Sequence, residues 1–374
     1  MSGGMGTGAT VLFAGGGTGG HLYPGLAIAR TLVRLDPTVQ PVFVGALRGI
    51  EKTVLPATEF PHLLLDLHPL YRTKPWENWR TIWGAVGAWR RLGALVRERQ
   101  PKVVVGTGGY AAGVALAYAA VHHIPIVQQA GDSYPGLTAR AFRRWTREYY
   151  LAFPEAGRVI GGDPARHIDT GAPIEPPPRP RPDRAAARRA WGFPERGGHV
   201  LLIYGGSQGS RAMNLVVADW VRRGLPPELY LIWMTGKASY AEFQSLEAER
   251  VKVREYLSPI ADAYAAADLA LVRAGAMTTA ELFAWEIPAV LVPLPTAAAD
   301  HQSVNARTLE AAGAAIHLPQ AELTTERLDA TLRSLLADPA ATARLAAGAR
   351  ARARPDAAET IARRILALLA PGRG

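Results

Sequence analysis

The sequence contains no cysteine. Disulfide bonds, thiolate catalysis and cysteine-ligated metal sites are therefore excluded. No apolar run reaches the about 18–20 residues of a membrane-spanning helix, since the best candidate, Gly113 to Val127, is broken by His122, His123 and Pro125. We expect any membrane contact to be peripheral. The first ten residues are uncharged and rich in glycine, serine and threonine, so they predict a flexible leader over residues 1–10 and no secretory signal.

Two frequent catalytic motifs are also missing. Without G-x-x-x-x-G-K-[ST], phosphoryl transfer on a P-loop is disfavoured, and H-E-x-x-H does not occur. Metal-ligating side chains are sparse, because the adjacent His122 and His123 point apart and Asp300 with His301 supplies too few ligands. The sequence therefore predicts neither a metal site nor a cofactor.

The composition is that of an ordinary globular protein, with 48% hydrophobic and 20% charged residues. A length of 374 residues makes two domains the natural expectation. Lysine and arginine number 42 against 32 aspartate and glutamate, which gives a net charge of +10. A basic chain favours anionic partners such as nucleotides, phosphates or an anionic membrane face. Nucleic acid is disfavoured because no DNA- or RNA-binding motif is present.

What the chain does have is glycine, above all in the stretch from Ala14 to His21. An apolar run precedes this stretch and a helical pattern follows it, so the sequence predicts a strand, a glycine loop and a helix. A helix N-terminus behind such a loop suits a phosphate; the alternative is a tight turn without a ligand. His21 is a candidate general base, or else a histidine bonded to a backbone carbonyl. No acidic residue ends the second strand at Val42 to Gly45, which weakens a dinucleotide-binding interpretation.

Tryptophan and arginine are concentrated between residues 71 and 91. Trp79, Trp83 and Val86 fall at helical spacing, and Trp76 lies just before them. Tryptophan at headgroup depth with basic neighbours is typical of a membrane-surface patch. The alternative is that some of these tryptophans are core residues, which we expect of Trp89.

A second half of the chain repeats the strand and helix pattern of the first. It begins after a proline-rich stretch near residues 171–182 and has its own glycine loop at Gly205 to Ser210. Alternating strands and helices predict a doubly wound parallel sheet in each half, with ligands at the carboxyl ends of the strands. We expect domains over residues 11–170 and 191–350, a connector over 171–190 or else a long surface loop, and a C-terminal helix over 351–374 that packs back toward the first domain.

The segment from Arg273 to Glu281 follows a strand in the second half. Thr278 or Thr279 could cap the helix that begins there. Glu281 would then lie in the first helical turn, where a carboxylate can accept two hydrogen bonds from a ribose diol. The alternative is a capping-box glutamate that answers Thr278.

Four motifs together resemble the MurG family of bacterial, lipid II-forming N-acetylglucosaminyltransferases in glycosyltransferase family 28. In order, they are Gly16 to Pro24, Gly106 to Tyr110, Gly205 to Gly209 and Arg273 to Glu281, and the resemblance runs from Val11 to Leu369. It implies a GT-B fold of two Rossmann-like domains facing a central cleft. It implies inverting, metal-independent transfer of GlcNAc from UDP-GlcNAc to the MurNAc 4-hydroxyl of lipid I, undecaprenyl-pyrophosphoryl-MurNAc-pentapeptide. The expected location is the anionic cytoplasmic face of the membrane, with cell-wall synthesis and division proteins as further candidate partners.

The resemblance also implies a role for each matching residue. Acceptor pyrophosphate contacts are implied for Gly16, Gly17, Thr18, Gly19, Gly20, Gly108, Gly109 and Tyr110. Donor contacts are implied for Gly206, Ser207, Gln208, Leu257, Gly275, Ala276, Met277, Thr278, Glu281, His301 and Gln302. His21 is the candidate base or acceptor-positioning group by motif match. Asp132 does not match the family, but it is a second candidate catalytic residue because an aspartate could accept from a hydroxyl or serve as base. The membrane-docking patch corresponds to Trp76, Trp79, Trp83 and Val86.

The chain departs from the family pattern at three places. Ala130 stands where the family has glutamate, Asp132 where it has asparagine, and Glu175 where it has a donor-side arginine for which Arg211 or Arg273 could compensate. These differences motivate a second hypothesis, a GT-B glycosyltransferase with another lipid or glycoside acceptor. A non-catalytic UDP-sugar-binding protein and a nicotinamide-dependent epimerase or dehydrogenase are the remaining alternatives.

Overall fold

The computed structural model describes residues 8–67, 78–206 and 208–370, with the backbone alone for residues 78–85 and 298. The chain divides into two compact units, of which the first comprises Met1–Glu175 and Asp356–Gly374 and the second Pro176–Pro355. Residues 1–7 of the expected leader, Trp76 and Ser207 lie outside the described residues. The first strand already begins at Thr10.

A parallel sheet forms the centre of the first unit. Among the described residues it has seven strands in the order β3-β2-β1-β4-β5-β6-β7. The strands are β1 (Thr10–Gly15), β2 (Gln40–Ala46), β3 (His62–Leu65), β4 (Val103–Gly108), β5 (Ile126–Ala130), β6 (Thr146–Leu151) and β7 (His167–Asp169). The helices are α1 (Gly19–Leu35), α2 (Glu51–Val54), α3 (Asn78–Arg99), α4 (Tyr110–Val121), α5 (Leu137–Ala141) and α6 (Ala156–Ile160), with α15 (Ala357–Leu369) from the end of the chain.

The second unit repeats this architecture with a parallel sheet of six described strands, in the order β10-β9-β8-β11-β12-β13. The strands are β8 (His199–Tyr204), β9 (Leu229–Met234), β10 (Val251–Arg254), β11 (Leu269–Val272), β12 (Ala289–Leu291) and β13 (Ala315–His317). The helices are α7 (Arg184–Ala190), α8 (Arg211–Arg223), α9 (Tyr240–Phe243), α10 (Ala261–Ala266), α11 (Ala276–Ala284), α12 (His301–Ala311), α13 (Thr325–Ala337) and α14 (Pro339–Arg352).

Each sheet has one point where the strand order reverses. In the first unit this point lies between β1 and β4, and in the second between β8 and β11. Crevices at the carboxyl ends of such strand pairs are the usual ligand sites of open α/β sheets. Each of the four glycine-containing motifs of the sequence lies at the end of a different one of these four strands. The topology therefore brings the motifs together in pairs, one pair in each unit.

The last helix completes the core of the first unit. Ile361 and Ile365 of α15 are fully buried and belong to the same apolar cluster as Leu26 of α1. Arg364 of α15 donates two hydrogen bonds to Glu148 of β6, at 2.8 and 2.7 Å. The end of the chain is thus built into the unit that the beginning of the chain forms.

One segment differs from the expectations. The connector predicted over residues 171–190 has neither helix nor strand up to Asp183, but α7 begins at Arg184. There the Asp183 carboxylate accepts a hydrogen bond from Ala186 N at 3.0 Å and caps α7, an alanine- and arginine-rich segment with high helix propensity.

Candidate active site

The two glycine motifs of the first unit lie against each other. Gly16 N donates a hydrogen bond to Gly108 O at 3.3 Å, which joins the loop after β1 to the end of β4. A β-carbon at Gly17 would lie 3.0 Å from the Tyr110 ring. Thr18 is the exposed N-cap residue of α1, whose first residues are Gly19 and Gly20. The N-termini of α1 and α4 therefore begin side by side at the reversal point of the sheet.

Glycine is required at Gly109 by both its conformation and its surroundings. Its φ is +77° and its ψ is 170°, a combination that is essentially confined to glycine. A β-carbon there would lie only 2.0 Å from Gly16 O and 3.1 Å from His21 Nδ1. The absence of a side chain at Gly109 thus allows the two loops and the histidine to approach each other.

His21 lies in the first turn of α1 with one ring nitrogen directed at the loop. Its Nδ1 is 3.2 Å from Gly16 O and 3.2 Å from Thr18 Oγ1. A carbonyl oxygen can only accept a hydrogen bond, so Nδ1 carries the proton that Gly16 O receives. The lone pair of the neutral ring is then at Nε2, which is the arrangement that a general base needs. Both sequence-based interpretations of His21, the carbonyl-bonded residue and the candidate base, fit this geometry.

A buried carboxylate beneath the first loop was not predicted from the sequence. Glu51 of α2 is fully buried, and its Oε1 accepts a hydrogen bond from Ala46 N at 3.1 Å. Its Oε2 has no hydrogen-bond partner among the described residues. A β-carbon at Gly16 would lie 1.8 Å from Glu51 Oε1. The sequence signal for this residue is a single glutamate that follows Gly45 and the end of β2 by a few residues. The short helix α2 directs its side chain back under the loop.

The altered segment after β5 lies at the same sheet edge. Ala130, which replaces the family's glutamate, is the buried last residue of β5, and Asp132 is partly exposed two residues later. Next to them, Gln129 is 3% exposed, and neither its Oε1 nor its Nε2 has a hydrogen-bond partner among the described residues. The partly exposed position of Asp132 at this edge is compatible with the catalytic role predicted for it, which stays a prediction. Glu175 is exposed and belongs to the first unit, not to the unit with the donor motifs.

In the second unit, the glycine loop after β8 packs against the end of β9. A β-carbon at Gly209, where φ is +74°, would lie 2.1 Å from Thr235 O, so only glycine permits this backbone contact. Gly206 also has a positive φ, and Gln208 is exposed at the tip of the loop. Ser210 then caps α8, since its Oγ accepts a hydrogen bond from Met213 N at 3.4 Å. The loop thus leads directly into a helix N-terminus, as an anion site requires.

The helix after β11 starts earlier than predicted, which corrects the capping interpretation. Gly275 is the N-cap of α11 and Ala276 its first residue, so neither Thr278 nor Thr279 caps the helix and Glu281 is not in its first turn. Thr279 Oγ1 lies 3.2 Å from Gly275 O, to which it donates a hydrogen bond. Met277 and Thr278 are partly buried in its first turn.

Glu281 is held by a partner that the sequence reading missed. Tyr264 of α10 donates a hydrogen bond from its hydroxyl to Glu281 Oε2 at 2.8 Å, and the Tyr204 hydroxyl lies 2.9 Å from that of Tyr264. Both tyrosines are 3% exposed. Burial raises the pKa of Tyr264 well above its ordinary value, so the hydroxyl stays protonated. The capping-box interpretation of Glu281 is wrong because Thr278 is not the N-cap. The Glu281 carboxylate instead accepts a hydrogen bond from the second of two buried tyrosines.

Arg273 connects the two glycine-containing motifs of the second unit. It is 6% exposed, and its guanidinium donates to Val292 O, Pro293 O, Ser210 Oγ and Gln320 Oε1 at 2.6–3.1 Å. Within the described part of the chain all of these partners are neutral. Burial lowers the pKa of Arg273 to about 10, which leaves the group charged at neutral pH. A cation without a carboxylate thus lies beneath the glycine loop, whereas Arg211 is exposed and paired with Glu242.

The remaining residues that were predicted to contact the donor lie on loops and helix starts of the second unit. Leu257 is buried in the loop after β10. His301 and Gln302 begin α12, and Gln302 Oε1 accepts a hydrogen bond from Leu294 N at 2.9 Å. Asn305, one turn further, is fully buried and donates to Ala274 O at 3.2 Å, which supports the loop before α11. These contacts place α12 beside the β11 end of the sheet.

Three residues of the predicted membrane patch, Trp79, Trp83 and Val86, belong to α3. The side chains of Trp79 and Trp83 and all of Trp76 are outside the described residues, while Val86 is 46% exposed. Trp89 is partly buried against the Tyr118 ring, with centroids 4.9 Å apart. No helix in the described part of the chain is both long enough and apolar enough to cross a bilayer. Nor do three His, Asp or Glu side chains come together there in a group that could hold a metal ion.

Comparison with known proteins decides the family. Models of the glycosyltransferase family 28 N-terminal and C-terminal domains match residues 11–151 and 200–361. A UDP-N-acetylglucosamine--N-acetylmuramyl-(pentapeptide) pyrophosphoryl-undecaprenol N-acetylglucosamine transferase from Salinibacter ruber is 42% identical over 96% of each chain. The transferase of the same name from Symbiobacterium thermophilum is 37% identical over 97% of each chain. Among solved structures, MurG of Acinetobacter baumannii has a TM-score of 0.75 at 26% identity and covers 96% of this chain and 99% of its own. The chain belongs to the MurG family of glycosyltransferase family 28.

Membership of this family makes the chain a glycosyltransferase, as the motifs predicted. The calicheamicin glycosyltransferase CalG4 is similar in fold alone, with a TM-score of 0.69 at 16% identity over 98% of this chain. Two parallel-sheet α/β units with these neighbours constitute the predicted GT-B fold. The alternative of a nicotinamide-dependent epimerase or dehydrogenase does not agree with this family.

Proposed function

We propose that this chain transfers GlcNAc from UDP-GlcNAc to the MurNAc 4-hydroxyl of undecaprenyl-pyrophosphoryl-MurNAc-pentapeptide, converting lipid I into lipid II. The names of its relatives favour this donor and acceptor. The observation that carries the proposal is the pair of helix N-termini in the second unit, α8 and α11, which start at neighbouring strand ends and are connected through Arg273 and Ser210. This arrangement suits a nucleotide diphosphate with a ribose near Glu281.

In the proposed reaction, His21 acts on the acceptor hydroxyl. Its Nε2 takes the proton from the MurNAc 4-hydroxyl, and the oxygen attacks the anomeric carbon of GlcNAc. The bond between that carbon and the UDP oxygen breaks, and its electron pair leaves with the diphosphate. Attack from the side opposite the leaving group inverts the anomeric configuration. The N-terminus of α8 and the buried charge of Arg273 favour the additional negative charge on the departing UDP.

The acceptor pyrophosphate is assigned to the first unit. Gly16 to Gly20 and Gly108 to Tyr110 form two adjacent loops that lead into the N-termini of α1 and α4. Backbone N–H groups and helix dipoles there suit an anion. In the second unit, Gly206, Ser207 and Gln208 are assigned to the diphosphate. The uracil is assigned to the Leu257 backbone, and the sugar hydroxyls to His301 and Gln302.

A direct assay of acceptor choice tests the proposal. Radiolabelled UDP-GlcNAc is incubated with lipid I, with other lipid-linked sugars and with free glycosides, and initial rates are compared in the presence and absence of EDTA. We expect transfer to lipid I only, no loss with EDTA, and a fall of at least about 100-fold for His21→Ala, because a general base contributes about 10²–10⁴-fold. Transfer to another acceptor would favour the second hypothesis, a GT-B glycosyltransferase with a different lipid or glycoside acceptor, which Ala130 and Asp132 motivate. Equal rates for His21→Ala would contradict the base assignment.

Membrane attachment is proposed through α3. Trp76, Trp79, Trp83 and Val86 would insert at headgroup depth on the cytoplasmic face, and basic neighbours would attract anionic lipid. Trp79→Glu with Trp83→Glu should weaken binding to anionic vesicles but preserve turnover of a short-chain acceptor. If both properties fall together, these residues belong to the core and the assignment is wrong.

A further inference from the structure

Two buried tyrosines form a hydrogen-bond chain that leads to Glu281. The hydroxyls of Tyr204 and Tyr264 are 2.9 Å apart, and that of Tyr264 is 2.8 Å from Glu281 Oε2. The three residues come from three different elements: Tyr204 is the last residue of β8, Tyr264 lies in α10 and Glu281 in α11. The chain therefore links the strand that leads into the diphosphate loop with the helix that carries the candidate ribose ligand.

The direction of these hydrogen bonds follows from the chemistry of the groups. An ionised carboxylate can only accept, and a phenol has a single proton to donate. Tyr264 therefore donates to Glu281, and its oxygen must receive the proton of Tyr204. Hydrogen bonds that run in one direction polarise one another and are strengthened in a buried setting. The tyrosines thus hold Glu281 Oε2 in one position and stabilise its charged form.

The tyrosine ring has a separate packing role, which allows the hydroxyl to be tested alone. The Tyr264 ring contacts Trp285, with centroids 5.8 Å apart and an interplanar angle of 40°. A phenylalanine at position 264 would keep this contact and remove only the hydrogen bond to Glu281. A change in nucleotide binding would then arise from the orientation of the carboxylate.

We propose that Tyr264, supported by Tyr204, is a positioning residue that orients Glu281 for recognition of the ribose hydroxyls of the donor nucleotide. The inference rests on the proposed function, in which Glu281 binds the ribose. It adds a residue without substrate contact that determines how strongly the site distinguishes a ribonucleotide from one that lacks these hydroxyls. The effect should appear in the ratio of two affinities, which packing changes alone would leave unaltered.

Calorimetric titration of the full chain tests this role. UDP and 2′,3′-dideoxy-UDP are titrated into the wild type, Tyr264→Phe, Tyr204→Phe and Glu281→Gln. We expect Tyr264→Phe to weaken UDP binding about tenfold, as for a hydrogen bond to a charged group, and to leave binding of the dideoxy nucleotide unchanged. Tyr204→Phe, one bond further away, should weaken UDP binding about two- to threefold. Tyr230→Phe is the matched control, since the Tyr230 ring packs on Phe193 in the same unit, and it should alter neither affinity.

The outcomes separate the inference from the function on which it rests. If Glu281→Gln leaves the preference for UDP over the dideoxy nucleotide intact, the ribose assignment of Glu281 fails and the inference falls with it. If Glu281→Gln abolishes the preference but Tyr264→Phe and Tyr204→Phe keep it, the ribose assignment stands and the inference alone is overturned. Equal weakening of both nucleotides by Tyr264→Phe would indicate a structural role and would also overturn it.

Discussion

Replacing Gly109 by alanine should separate the two loops of the candidate acceptor site. The new β-carbon would lie 2.0 Å from Gly16 O, whereas real β-carbons essentially never come within 3.0 Å of another heavy atom. The loops must therefore part by about 1 Å, a displacement that can cost about 100-fold in rate when it affects groups that position a reaction. The backbone at φ +77° and ψ 170° adds a strain of about 1–3 kcal/mol for any residue with a side chain.

We therefore expect Gly109→Ala to lower kcat/KM for a short-chain lipid I analogue about 100-fold. UDP affinity, which we assign to the second unit, should change less than twofold. Initial rates with radiolabelled UDP-GlcNAc give the first quantity, and calorimetry gives the second. Unchanged UDP binding would show that the second unit is still folded, and an unchanged circular dichroism spectrum would show the same for the chain as a whole.

Gly113→Ala is the matched control, because it is the same substitution four residues further along. Gly113 lies inside α4, and a β-carbon there would meet its nearest neighbour, Thr138 Cγ2, at 3.9 Å. This variant should keep full activity and gain up to about 1 kcal/mol of stability, since alanine is favoured over glycine within a helix. If Gly109→Ala transfers GlcNAc as fast as Gly113→Ala does, the close approach of the two loops has no part in acceptor turnover and the reasoning is refuted.

Two further predictions concern buried and half-buried charges. The hydrogen bond from Arg364 lowers the pKa of Glu148 in the folded state. The pair therefore stabilises the fold fully at a pH above the unfolded-state pKa of this carboxyl. The stabilisation is lost as the pH falls through the lower, folded-state pKa. Arg364→Met should reduce the free energy of unfolding by about 1 kcal/mol at pH 7 and by much less at pH 2.5 in urea titrations, and a deficit independent of pH would refute the pairing. Arg273→Met should weaken binding of UDP at least about tenfold more than binding of uridine, because the lost cation lies beneath the loop that we assign to the diphosphate. Equal losses for UDP and uridine would contradict its electrostatic role.

Much of the first unit's site could be predicted from local sequence. Glycines at the ends of β1 and β4, followed by helical patterns, led to the correct elements because apolar runs and glycine stops are local signals. The close contact of Gly16 with Gly109 is not local, since it depends on the strand order that places β1 beside β4. Glu51 escaped notice for the same reason, because its burial results from a short helix folding back under the loop.

The second unit shows where local rules failed. Thr278 has the character of an N-cap residue, yet the chain turns into helix at Ala276, directly after Gly275. The partner of Glu281 was beyond prediction because Tyr204 and Tyr264 lie on separate elements that only the tertiary fold brings together. Arg273 was proposed from sequence as compensation for Glu175, but its neutral hydrogen-bond partners come from three other segments of the chain.

The measurement that tests the proposed reaction most directly is the structure of its product. The enzyme is incubated with UDP-GlcNAc labelled with carbon-13 at the anomeric carbon and a soluble lipid I analogue, and the reaction is followed by NMR. We predict one UDP released for each disaccharide formed, with a new β-glycosidic bond at the MurNAc 4-hydroxyl. Release of UDP with free GlcNAc, retention of the α configuration, or a bond to another hydroxyl would contradict inverting transfer from UDP-GlcNAc to lipid I.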